Sequence, residues 1–127
     1  MDEILVIGIG NSSRGDDGLG WAFLDGLNEQ GPQAIALHLE YRYQLLVEDA
    51  ELLTRFSKVV FVDACRTPLP DGVSFEPCRP DPSPALYTHQ QTPGAVLQLS
   101  RELYGHEPEA WCLLIQGYEW AFDTGLS

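Results

Sequence analysis

Asp17, Asp63 and His89 are the residues whose types could do chemistry together. Each falls where a predicted strand or loop gives way to a helix or turn. Two carboxylates and one imidazole suit a borderline first-row ion such as nickel, zinc, cobalt or iron, with positions left open for water or substrate. Three protein ligands are too few for a closed structural site, so the set implies a catalytic or metal-sensing role. Asp17 follows Asp16 between Gly15 and Gly18. One acid there would serve to cap a helix, but a second adjacent acid adds repulsion that a cation or donor relieves. For Asp63 the bland reading is a turn-starting aspartate paired with Arg66, and for His89 a solvated loop residue. His38, inside a strand pattern, and His106, in a turn after a helix, read as structural.

Gly8-Ile9-Gly10 after a first strand invites a dinucleotide-binding reading, because such glycines let the backbone approach a pyrophosphate. The fit is poor. Ser13 stands where the third glycine belongs, and Asp16 and Asp17 put negative charge where a phosphate needs positive potential. Ser12, Ser13 and Cys65 are not placed beside a histidine that would activate them as nucleophiles.

The elements that must position these residues alternate in type. Ile4 to Gly10 is an apolar run of the kind buried on both sheet faces. A helix follows from Leu19 to the Gly31-Pro32 break, then a strand over 34–41, a helix over 44–56, and the β-branched strand Lys58 to Asp63. Residues 66–88 hold six of the nine prolines and one strand, Val73 to Cys78. Thr92-Pro93 reads as a cap and first helical position for a helix to Gly105, and Ala110 to Gln116 is the last strand. Residues 117–127 show no defined element. This order predicts an α/β fold in three layers: a mostly parallel five-stranded sheet with helices on both faces, and Val73 to Cys78 as an antiparallel edge strand. An open sheet of this kind gathers its strand ends, and hence distant residues, along one edge.

The 127 residues fit a single domain, 1–127. No apolar stretch is long enough for a membrane span, and the acidic start Met1-Asp2-Glu3 is unlike a secretory signal, so a cytoplasmic protein is expected. A net charge of −12, with Lys58 the only lysine, repels nucleic acid and anionic lipid and favours a basic protein substrate or a cation. Cys65, Cys78 and Cys112 include no Cys-x-x-Cys pair, which leaves neither a disulfide framework nor a zinc ribbon.

Three segments together resemble the hydrogenase maturation proteases: Gly-Ile-Gly-Asn-Ser-Ser-Arg-Gly-Asp-Asp-Gly-Leu-Gly at 8–20, Val-Phe-Val-Asp-Ala at 60–64 and Thr-His-Gln-Gln-Thr-Pro at 88–93. The resemblance covers nearly the whole chain. It implies an endopeptidase that removes the C-terminal extension of a nickel-iron hydrogenase large-subunit precursor. It also implies that Asp17, Asp63 and His89 complete the coordination of nickel already inserted in that precursor, so that the metal is the recognition element. Another divalent first-row metal would serve in vitro. The metal would polarise the scissile carbonyl or acidify a bound water; alternatively a carboxylate acts as general base without it. The segments at 43–53 and 103–105 look closest to the branch serving soluble, cofactor-reducing hydrogenases.

Two departures stand out. Family members carry a glycine-rich turn where this chain has Glu40-Tyr41-Arg42-Tyr43-Gln44, and they continue past 125–127 into a C-terminal helix. A sheet without that helix would expose an apolar face and favour self-association. The departures motivate a rival reading as a non-proteolytic metal-dependent binding module or hydrogenase assembly chaperone.

Overall fold

The computed structural model describes residues 3–10, 19–29, 36–65, 68–81 and 92–117. Five strands form one sheet: β1 (Ile4–Ile9), β2 (Leu37–Arg42), β3 (Lys58–Cys65), β4 (Val73–Pro77) and β5 (Glu109–Gln116). Their order is β2-β1-β3-β5-β4. The pairs β1·β2, β1·β3 and β3·β5 are parallel, and β4 runs antiparallel to β5 at the edge. The antiparallel sense of β4 follows from its connection, since the chain between Cys65 and Val73 is too short to carry it back for a strand parallel to β3.

Alternation along the strands divides the core in two. Leu5, Ile7, Val59, Phe61 and Ala110 pack with Val96 and Leu97 of α3 (Pro93–Tyr104) and Ala50 and Leu53 of α2 (Asp49–Leu53). On the opposite face, Val6 and Val62 pack with Leu24 of α1 (Leu19–Glu29), flanked by Leu27, Leu37, Leu39, Val60, Leu113 and Ile115. Helices therefore cover both faces, as the strand and helix order predicts. On the edge strand Val73 and Phe75 remain exposed, and the Phe75 ring stacks on Trp111 with centroids 5.0 Å apart.

One element differs from the sequence expectation. The helix expected over 44–56 is reduced to the single turn Asp49–Leu53, while Tyr43 and Gln44 bend and Leu45 forms a bridge. Asp49 is the cause. Its buried carboxylate accepts the Leu46 amide at 2.9 Å and the Arg42 guanidinium at 3.1 Å, and these bonds favour a turn over a continuing helix. On both sides of α2 the chain makes i to i+3 bonds, from Asp49 to Leu46 and from Phe56 to Leu53, the tighter winding that does not extend into long helices. The apolar residues Leu45, Ala50, Leu53 and Phe56 still reach the core, so the hydrophobic pattern survives without the helix.

Candidate functional site

Of the three residues expected to form the site, Asp63 is placed; Asp17 and His89 lie outside the described residues. Asp63 sits two residues before the end of β3, within the strand and not at a turn as its bland reading supposed. Strand alternation sets it on the same face as Val59 and Phe61, toward α2 and α3. It is half-buried, and its Oδ1 accepts the Ala64 amide at 2.8 Å.

Sheet topology gives the position its meaning. From β1 the chain passes outward on one side to β2 and on the other to β3, so the strand order reverses between β1 and β3. In open α/β sheets, ligands bind in the crevice beyond the carboxyl ends of the strands at such a reversal. Gly8 pairs with Val62 there, and Asp63 stands one residue further along β3.

Helix α1 is pressed against the same place. A Cβ on Gly20 would lie 2.7 Å from the Ile9 carbonyl oxygen and 2.9 Å from that of Val62, and one on Gly8 would meet the Gly20 carbonyl at 2.9 Å. Two glycines facing each other thus let the first turn of α1 touch the ends of β1 and β3. Asp17 precedes α1 by two residues in sequence.

Helix α3 begins at Pro93 with Thr92 as its cap, the Thr92 hydroxyl accepting the Ala95 amide at 3.1 Å, as Thr92-Pro93 predicts. Gly94 packs against Arg79 and Asp81, and its carbonyl accepts the Asp81 amide at 2.9 Å. His89 is three residues ahead of Thr92 in sequence.

The remaining histidines make hydrogen bonds within the fold. His38 Nε2 lies 2.5 Å from the Glu40 carboxylate, and His106 Nε2 lies 2.6 Å from the Phe56 carbonyl oxygen. A cleft of about 260 Å³ lined by Glu3, Thr54, Arg55, Phe56, Ser57 and His106 opens where β1 and β3 begin, the far end of the strands from Asp63. Among the described residues no group of three or more His, Cys, Asp or Glu is placed to hold a metal.

Sequence reasoning did not anticipate the polar and aromatic cluster at the end of β2. Arg42 bridges Glu40 at 2.9 Å and Asp49 at 3.1 Å. The His38 hydrogen bond, joined by Arg42, holds the Glu40 carboxyl below its ordinary pKa. On the other face of β2, the Tyr41 hydroxyl donates to Asp25 Oδ1 at 2.6 Å, and burial with that bond pushes its pKa up to about 12. The signal was the unusual run Glu40-Tyr41-Arg42-Tyr43. Cys78 and Cys112 are free, half-buried thiols close enough to interact, which lowers the pKa of Cys78 and raises that of Cys112.

The structure is an open α/β domain whose strand order reverses between β1 and β3, with Asp63 near that point. Solved structures with this fold include the [NiFe] hydrogenase maturation protease HycI of Thermococcus kodakarensis KOD1. It is 24% identical, with a TM-score of 0.70 over 99% of this chain and 81% of its own. The hydrogenase maturating endopeptidase HybD of E. coli is 21% identical, with a TM-score of 0.69 over 98% of this chain and 80% of its own. The hydrogenase 2 maturation peptidase of Thaumarchaeota archaeon SCGC_AB-539-E09 is 19% identical, with a TM-score of 0.65 over 98% and 85%. At these identities the likeness establishes a shared fold. No protein-family model and no curated protein matches the sequence.

Proposed function

We propose that this chain is a hydrogenase maturation endopeptidase. It removes the C-terminal extension of a nickel-iron hydrogenase large-subunit precursor after nickel insertion. The observation that carries this reading is the place of Asp63: a half-buried carboxylate near the end of β3, one residue beyond the Gly8–Val62 pair at the β1–β3 reversal. The shared fold of proteins described as maturation proteases supports it.

In this reading Asp17 and His89 join Asp63 around nickel that the precursor brings with it. A carboxylate is a suitable donor for such an ion. Recognition through the metal makes cleavage wait until the precursor is loaded. When bound, the nickel supplies Lewis-acid polarisation. The protein's own contribution is to fix the carboxylate: the Ala64 amide holds Asp63 Oδ1 in one orientation, and β3 is locked between β1 and β5.

The test compares wild type with Asp17→Asn, Asp63→Asn and His89→Ala on a matching nickel-loaded precursor, weighing the large subunit by mass spectrometry. Each variant should abolish shortening while keeping the wild-type circular dichroism spectrum, and a nickel-free precursor should stay uncut by the wild type. Full cleavage by all three variants would remove this site from the reaction. An unshortened precursor held by the wild type in a stable complex would instead identify a binding module.

A further inference from the structure

We propose that Trp21, Tyr41 and Tyr43 form a seat for a basic side chain of the precursor, an arginine or lysine at least about three residues from the bond that is cleaved. This inference rests on the proposed function and adds a contact that fixes the peptide's register.

The cluster is built before any partner arrives. The Trp21 ring meets Tyr43 at 5.1 Å between centroids and Tyr41 edge-on at 5.7 Å. Trp21 Nε1 and the Gly10 amide both donate to the Arg42 carbonyl, at 3.0 and 2.9 Å, which ties the end of β2 to α1 and to the end of β1. The Tyr41 hydroxyl is bonded to Asp25. Yet Tyr43 remains 69% exposed and Tyr41 36% exposed, a large aromatic surface for a strand end that is otherwise anchored.

Charge selects the occupant. Aromatic faces attract cations, and the Asp25 carboxylate beside Tyr41 adds negative potential. The one cation on this strand, Arg42, is engaged by Glu40 and Asp49 on the opposite face of β2. The whole chain carries −12, so a basic peptide is drawn toward it.

Register gives the spacing. Ile9 pairs with Arg42 and Gly8 with Val62, so Tyr43 and Asp63 lie at neighbouring levels on strands two places apart. Two strand spacings are roughly 10 Å, and because Tyr41 lies on the α1 face while Asp63 faces α2 and α3, an extended peptide joining them over the carboxyl edge of the sheet needs at least about three residues.

Tyr43→Ser should raise the KM for precursor processing about fivefold with kcat unchanged. Tyr43→Phe should behave as wild type, as should the control Tyr104→Ser at the end of α3. Replacing one arginine or lysine near the cleavage point by glutamine should cost the wild type the same factor and cost Tyr43→Ser nothing further. Binding is read separately by NMR: N-acetyl-arginine methylamide should shift the Trp21 indole and Tyr43 amide signals in wild type and not in Tyr43→Ser, and N-acetyl-norleucine methylamide should shift neither. An unchanged KM in Tyr43→Ser, or equal shifts with the norleucine compound, would overturn the seat. Loss of cleavage by wild type itself would overturn the peptidase reading, while the NMR arm would still decide the seat.

Discussion

Ser100 is fully buried in α3, and its hydroxyl oxygen has no hydrogen-bond partner among the described residues. A buried hydroxyl without a partner costs roughly 1–3 kcal/mol, so Ser100→Ala should leave stability unchanged or raise it by about 1 kcal/mol. Urea denaturation would check this, and a fall of that size would show that the hydroxyl has a partner. Glu40 gives a second test. His38 and Arg42 hold its carboxyl below the ordinary pKa of 4.5, so the folded state releases that proton more readily than the unfolded chain. The stabilisation is therefore present above about pH 4.5 and is lost as pH falls through the lowered value. Glu40→Gln should lower the urea midpoint at pH 7 and narrow its gap to wild type at pH 3.5. Asp63 was legible in sequence as an acid at the end of the third strand, although β3 runs on to Cys65. The Asp49 turn was not, because its effect depends on Arg42 arriving from β2 across seven residues.

At the scale of elements, the contact between α1 and the strand ends is the feature on which the candidate site depends. Gly20→Ala would drive a methyl group to 2.7 Å from one backbone carbonyl oxygen and 2.9 Å from another, neither of which can swing aside as a side chain would. The helix must shift, at a cost of about 1–3 kcal/mol for such overpacking. We expect a lower melting temperature and a loss of precursor processing larger than the stability change explains, since Asp17 precedes α1 by only two residues in sequence. Gly26→Ala, where the added Cβ meets nothing within 4 Å, is the matched control and should stabilise the helix by about 0.5–1 kcal/mol. The strands were legible because their apolar runs are short and β-branched, and the cap of α3 because Thr92-Pro93 is a local signal. Helix α2 was overestimated because apolar residues at helical spacing also suit a bent segment that feeds the same core.

For the whole molecule, the charge of −12 predicts salt-dependent association. Attraction of a basic segment is screened within roughly 8 Å at physiological ionic strength, so raising salt should increase the KM for the precursor more than it changes kcat. A KM insensitive to salt between 50 and 500 mM would argue against charge-guided docking, the screening length falling to roughly 3 Å near 1 M. None of the described helices is long and apolar enough to cross a membrane. The sequence by itself determined the α/β class, the alternation of elements, the antiparallel edge and the candidate residues, because periodicity, capping and connection length are local properties of the chain. Tertiary structure alone decided that Asp63 lies beyond the β1–β3 reversal, that Gly8 and Gly20 bring α1 onto those strand ends, and that Trp21, Tyr41 and Tyr43 share one surface. Strand order and helix docking depend on which distant apolar faces find each other, and no local pattern of residues encodes that pairing.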